Sequence, residues 1–253
     1  MINSFDLQKL SNDLGIDKYT ILREYIQITF LNSLYSNPKA TKLAFKGGTA
    51  LRFFTNSPRF SEDLDFTSSL DKQEIIDITD KTVKNLQSSF EDIEIKNLET
   101  IAGISRKIYI GTDISSQKLT IKLDFSEREE VLNTKIGIIK TSLPVASVTP
   151  ITYLDPKEIF SEKIRALSTR NKGRDLFDLW FLLHNNYKPD LSLIQKKLDF
   201  YKEKFDKSEL IKKISEWDEK SLYNDLNKFL PLKDRGIIPE IKRLTLEGIS
   251  NAF

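Results

Sequence analysis

The chain of 253 residues has no cysteine and a single histidine, His184. The first absence excludes disulfides, thiolate zinc sites and cysteine nucleophiles. The second leaves no material for a multi-histidine metal site or a Ser-His-Asp triad. His184 itself closes the apolar run that starts at Leu179, a helix C-terminal position where it meets the helix dipole. Charge of one sign is not in excess either: Lys plus Arg is 39 and Asp plus Glu is 37. Net charge therefore says nothing about partners, and a nucleic-acid footprint has to come from local clustering. Long hydrophobic runs are missing. The longest, Leu179 to Leu183, falls far short of the ~20 residues that span a bilayer. The N-terminus, Met-Ile-Asn-Ser-Phe-Asp-Leu, has neither a basic start nor an apolar signal core. The chain reads as cytoplasmic, with no membrane partner. Internal repeats, low-complexity linkers and coiled-coil heptads are absent as well.

What is present is an ordinary apolar content, enough for one large domain or two small ones. Helical periodicity covers residues 2–14 and 18–36, and Asn37-Pro38 stops the second run. Lys46 to Thr49 reads as a turn and Ala50 to Phe54 as a short helix. A strand is expected over 62–67. Asp71-Lys-Gln-Glu74 is a capping box opening a helix to about Phe90. Strand patterns follow near 93–101, 104–111 and 117–126, then a β-rich or loop segment over 136–148. Asp155-Pro156-Lys157-Glu158 combines an N-cap, a first-turn proline and an acidic third residue, so a helix starts there. From that point to Phe253 the periodicity is helical. The Lys-rich stretches near 196–213 alternate with acidic residues and read as a solvated helix face. The expected class is α/β: a small mixed sheet with flanking helices over 1–150, then a helical lobe over 151–253.

The most informative stretch is Phe45-Lys-Gly-Gly-Thr-Ala-Leu-Arg52 followed by Arg59-Phe-Ser-Glu-Asp-Leu-Asp-Phe66. Side chains at i and i+2 of a strand leave the same face, about 7 Å apart. Asp63 and Asp65 therefore point one way while Leu64 and Phe66 point into the core. Adjacent like charges repel unless a cation neutralises them. Hard ions such as Mg2+ take carboxylate and phosphate oxygens. A glycine turn at Gly47 and Gly48 beside such a pair is the equipment of phosphoryl or nucleotidyl transfer. A third carboxylate, Asp124, lies on the polar face of Leu119-Thr-Ile-Lys-Leu-Asp-Phe125 with Thr120 and Lys122. It is either a polar residue on a solvated face or the third member of a metal-binding set with Asp63 and Asp65.

These residues resemble the nucleotidyltransferase fold shared with DNA polymerase beta. More closely, Lys46-Gly-Gly-Thr-Ala-Leu51 with Arg59 to Phe66 is similar to the AbiEii/AbiGii toxin family of nucleotidyltransferases, which includes the Men-type toxins. The family's second signature, a helix with a lysine and then an Arg-Asp pair opening another helix, matches Glu158 to Leu179 through Lys163, Arg170, Arg174 and Asp175. The resemblance spans roughly residues 45–180. It implies a Mg2+- or Mn2+-dependent enzyme of a toxin–antitoxin or phage-defence system. Such an enzyme uses a nucleoside triphosphate, acts on an acceptor such as the 3′ end of tRNA to block translation, and is held by a cognate antitoxin. It implies catalytic roles for Asp63, Asp65, Asp124, Lys163 and Asp175. Nucleotide binding is expected from Lys46, Gly47, Gly48, Thr49, Arg52, Lys163, Arg170 and Arg174. Lys163 is read as a surface lysine holding a triphosphate oxygen, and Asp175 otherwise as a helix cap or an Arg partner. Ser61, two residues before Asp63, is a candidate regulatory site, since a phosphate there crowds the carboxylates. Two rivals remain: transfer to a small molecule or protein side chain, and a non-catalytic nucleotide-binding module.

Overall fold

The computed structural model describes residues 2–100, 103–112 and 115–253. The chain divides into two compact units, Met1–Asn56 with Phe60–Leu154, and Ser57–Arg59 with Asp155–Phe253. None of the helices among the described residues is long and apolar enough to cross a membrane.

In the first unit, helices α1 (Ser4–Leu14) and α2 (Lys18–Tyr35) lead through a 3-10 turn (Pro38–Lys42) into strand β1 (Leu43–Lys46) and helix α3 (Gly47–Thr55). Strand β2 (Leu64–Ser68) and helix α4 (Lys72–Leu86) follow. Strands β3 (Ile93–Leu98), β4 (Ile104–Thr112), β5 (Ser115–Ser126), β6 (Thr134–Gly137) and β7 (Ile151–Leu154) complete the unit. Asn3 and Asp17 cap α1 and α2 by accepting the N–H groups of Asp6 and Thr20. The Asp71–Glu74 capping box opens α4, which ends at Leu86 rather than near Phe90. Residue 101, the end of the expected strand 93–101, lies outside the described residues. The segment 136–148 holds only the end of β6. Strand β7 has four residues, too few to show a period between Pro150 and the Asp155-Pro156 helix start.

The seven strands form one mixed sheet in the order β3-β4-β5-β2-β1-β7-β6. β2 runs parallel to β5 and β1 parallel to β7, and the other neighbours are antiparallel. Phe45, Phe66 and Phe125, one from each of β1, β2 and β5, form a buried row with ring centroids 5.4 Å and 4.9 Å apart. Alternation along a strand then sends their neighbours Lys46, Asp65 and Asp124 to the opposite face. Helix α2 is buried nearly all round, and its Tyr35 hydroxyl lies 2.8 Å and 2.9 Å from the carbonyl oxygens of Leu43 and Thr152.

The second unit is helical: α5 (Pro156–Thr169), α6 (Gly173–His184), α7 (Leu191–Asp199), α8 (Lys207–Ser215), α9 (Glu219–Leu226) and α10 (Ile238–Ala252), with 3-10 turns between α9 and α10. Asp155 caps α5 on the Lys157 N–H, with Pro156 in the first turn, as the sequence pattern predicts. Gly173 opens α6 against α9. Its N–H donates to Asp225 Oδ2 at 2.7 Å, and a Cβ there would press on Asp225 and Leu222. One expectation fails here. Within the Lys-rich 196–213 region Lys197 is buried, with Nζ 2.7 Å from Glu158 Oε1 and 3.4 Å from Glu162 Oε1. A single buried lysine in a run of alternating charge has the pattern of a solvated face, so the spacing hides it.

Candidate active site

Asp63 directly precedes β2 and Asp65 is its second residue. Both are partly exposed, while Leu64 and Phe66 between and after them are fully buried. Asp65 stands in register with Asp124 of β5 on one side and with Lys46 of β1 on the other. Neighbouring strands lie about 4.8 Å apart, so the expected meeting of the third carboxylate with the aspartate pair takes place on this face. Asp124 has two partners of its own. The Ser105 hydroxyl of β4 donates to Oδ1, and Lys122 Nζ lies 2.7 Å from Oδ2. Burial opposes the charge of Lys122, but the carboxylates of Asp124, Asp63 and Asp65 outweigh it and raise its pKa. Lys122 is thus one counter-cation of the face. In the sequence it is only one of the three polar residues, with Thr120 and Asp124, that alternate over 119–125. Ser105 carries no sequence signal at all, because its role depends on the β4–β5 register.

This donor set is all carboxylate, with no histidine or cysteine, which suits a hard, oxygen-seeking ion such as Mg2+. Among the described residues no group of three or more His, Cys, Asp or Glu side chains is placed to hold a metal ion together. Mg2+ is commonly held by one or two carboxylates together with substrate phosphates. Side-by-side Asp65 and Asp124, with Asp63 two residues away, fit that open mode.

The glycine segment differs from the expected turn. The helix begins at Gly47 itself, and Lys46 is its N-cap without a side-chain cap bond. Gly47 makes the corner with φ of 80°, and a Cβ there would run into the Asp65 carboxylate. Thr49 Oγ1 donates to the backbone carbonyl of Asp63 at 2.6 Å. The first turn of α3 is therefore fastened to the aspartate strand. Gln27 Nε2 reaches the carbonyls of Ser61 and Glu62 at 3.2 Å and 3.1 Å, which places Ser61 in the backbone lead-in to Asp63. Arg52 points elsewhere: its guanidinium pairs with Glu24 at 2.7 Å and lies 3.7 Å over the Phe60 ring. Glu24 and Gln27, both on α2, look like helix-surface residues in the sequence.

In the second unit the later motif forms an ion network. Lys163 Nζ lies 2.9 Å from Asp175 Oδ1 and 2.7 Å from Asp178 Oδ2. Arg170 Nε donates to Asp175 Oδ2 at 2.8 Å, and Arg59 grips Asp178 through two bonds of 2.9 Å. Lys163, Asp175, Asp178 and Arg59 are all buried, so the reading of Lys163 as a surface lysine is corrected. Its apolar neighbours Ile159, Phe160, Ile164 and Leu167 are buried on the same helix. Burial opposes ionisation of Asp175, yet Lys163 and Arg170 prevail and hold its carboxyl well below the usual range. Likewise burial opposes the Lys163 charge, and Asp175 and Asp178 outweigh it. Arg170 is half exposed, and Arg174 lies over the Phe229 ring at 5.1 Å.

A family model described as the nucleotidyl transferase AbiEii toxin of type IV toxin–antitoxin systems matches residues 29–242. No curated protein sequence matches significantly. Among solved structures, the chain is similar to MenT4, the nucleotidyltransferase toxin Rv2826c from Mycobacterium tuberculosis H37Rv. The TM-score is 0.72 at 15% identity, over 99% of this chain and 90% of that one. It is also similar to JHP933 from Helicobacter pylori, with a TM-score of 0.57 at 22% identity over 93% and 95% of the two chains. At these identities the structural likeness shows the fold.

Proposed function

The chain belongs to the AbiEii family of nucleotidyltransferase toxins, and from that premise we propose that it transfers a nucleoside monophosphate from a nucleoside triphosphate to the 3′ end of tRNA. Translation is then blocked, in a toxin–antitoxin or phage-defence setting, with a cognate antitoxin as partner. The observation that carries this reading is the register of Asp65 with Asp124, on the strand that Thr49 ties to the glycine-led helix α3.

Asp63, Asp65 and Asp124 would hold Mg2+ or Mn2+. A bound ion of this kind neutralises phosphate oxygens and activates the attacking hydroxyl. The acceptor oxygen bonds to the α-phosphorus while the bond to the bridging oxygen of the β-phosphate breaks, and pyrophosphate leaves. Asp124 would either complete the metal site or take the proton of the acceptor hydroxyl. Helix α3 has no side-chain cap, so its first N–H groups and its dipole favour an anion there. Lys46, Gly47, Gly48 and Thr49 thus serve phosphate. Arg52, pinned on Glu24 and Phe60, serves by holding α3. For the second unit we assign phosphate contacts to Arg170 and Arg174, with Asp175 orienting the Arg170 fork and Lys163 keeping Asp175 ionised.

Incubating the protein with each labelled nucleoside triphosphate and total tRNA, then sequencing RNA 3′ ends, tests the proposal. Extension of tRNA ends by one preferred nucleotide is expected. Label on protein or on a small molecule with unchanged tRNA ends would overturn the choice of acceptor.

A further inference from the structure

A cavity of about 530 Å³ in the first unit is not used by the chemistry above. Its size is ordinary for a small-ligand site. Ala44 of β1, Thr67 of β2 and Thr152 of β7 form its floor, and Glu127, Glu129 and Glu130 line it from the segment after β5. Thr67 lies two residues after Asp65 on the same strand, so both face the same side of the sheet. Ala44, its partner across β1, is likewise two residues from Lys46, the partner of Asp65. The cavity therefore adjoins the carboxylate face.

Two observations indicate what it takes. The Thr67 hydroxyl is buried, with the residue 3% exposed, and Oγ1 has no hydrogen-bond partner. A buried polar atom left unsatisfied is unfavourable, and a ligand that bonds to it removes that cost. The neighbouring hydroxyls of Ser68 and Ser69 are already engaged, by Leu70 and by the Lys42 carbonyl. The second observation is charge: three glutamates against one lysine, Lys42, line the cavity and disfavour phosphate, and the exposed Glu127 carboxylate accepts N–H and O–H donors. The residues that fit phosphate lie at the Gly47 end, and the residues that fit an uncharged, donor-bearing group lie here.

We propose that this cavity is a nucleoside subsite, receiving the base and ribose of a substrate while its phosphates stay at the carboxylate face. The proposal rests on the nucleotidyl-transfer reading. The nucleoside belongs either to the incoming triphosphate or to the terminal residue of the acceptor, and both present the same donors.

The test uses the full-length protein and Thr67→Val, which keeps the shape and removes the hydroxyl, with Thr67→Ser as the variant that retains it. Calorimetry measures binding of an α,β-methylene nucleoside triphosphate, of inorganic tripolyphosphate and of a short RNA with a free 3′ hydroxyl. Thr67→Val is expected to weaken one nucleoside-bearing ligand about fivefold to tenfold, the worth of one hydrogen bond, while tripolyphosphate binding and the Thr67→Ser protein stay as wild type. Loss confined to the triphosphate analogue assigns the incoming nucleotide, and loss confined to RNA assigns the acceptor. Glu127→Lys, an exposed change, should independently narrow the preference for the nucleotide analogue over tripolyphosphate. Unchanged binding of all three ligands by Thr67→Val, or a parallel loss of tripolyphosphate, overturns the subsite. If that happens while wild-type transfer still depends on Asp65, only the subsite falls. If the wild type binds none of the three ligands, the nucleotidyl-transfer reading falls with it.

Discussion

Asp65 and Asp124 stand directly opposite each other on two parallel strands that are distant in sequence and adjacent in the sheet. With Asp63 they concentrate negative charge on one face, and Lys122 is the residue of the same strand that answers it. Like charges this close repel, and a cation nearby offsets the cost; Lys122 is one that the protein supplies.

Replacing Lys122 with Gln removes that internal cation. In the absence of metal the variant should lose about 0.5–1 kcal/mol of stability, since the pair with Asp124 is partly exposed and screened. Its affinity for Mn2+ should rise, because the ion no longer competes with an ammonium. Urea unfolding and Mn2+ titration followed by electron paramagnetic resonance check both. Weaker Mn2+ binding in the variant would mean that Lys122 supports the ion rather than standing in for it.

Gly47→Ala should inactivate the protein and destabilise it by at least about 1–2 kcal/mol, the cost of a left-handed residue with a Cβ. The positive φ and the approach to the Asp65 carboxylate act together here. Thermal unfolding and turnover are the measurements, and a variant with native stability and full turnover would contradict the assigned geometry.

Lys163→Ala leaves Asp175 and Asp178 buried with one cation fewer, so it should cost about 3–5 kcal/mol in urea unfolding. A loss under about 0.5 kcal/mol, the expectation for a surface lysine, would contradict the buried network. The network also has a pH signature. The folded pKa of Asp175 is depressed, so its contribution is complete above the unfolded value of 3.8 and is lost as pH falls through the folded value. Below about pH 4, stability should therefore fall less steeply with pH in Asp175→Asn than in wild type.

Ser61 leads into the aspartate strand through a backbone held by Gln27. A negative charge there adds to the three carboxylates, so Ser61→Asp should be inactive while Ser61→Ala stays active, both folded. Equal turnover of the two variants would remove Ser61 as a regulatory position.

Much of this fold is readable from local pattern. The capping box at Asp71 and the Asp155-Pro156 start are short-range signals, and both appear in the structure where spacing places them, whereas the strand expected over 62–67 begins at Leu64 and leaves Asp63 just outside it. The place of Asp124 depends on strand adjacency, which local pattern does not encode. Ser105, Glu24 and Gln27 act through long-range register and helix packing, and nothing in their neighbours marks them. Lys163 and Lys197 depart from the sequence expectation for a common reason. A lysine is ordinarily solvated, and its burial depends on carboxylates supplied from another helix.

The central claim is that the carboxylate face transfers a nucleotidyl group. The most direct measurement follows α-labelled and γ-labelled nucleoside triphosphate in parallel, with total tRNA, for wild type and Asp65→Ala. The account predicts α-label on the acceptor, γ-label released as pyrophosphate in equal amount, and at least a hundredfold loss of both in a folded Asp65→Ala protein, about 2.7 kcal/mol of lost catalysis. Transfer of the γ-label to an acceptor, or undiminished transfer by Asp65→Ala, would contradict it.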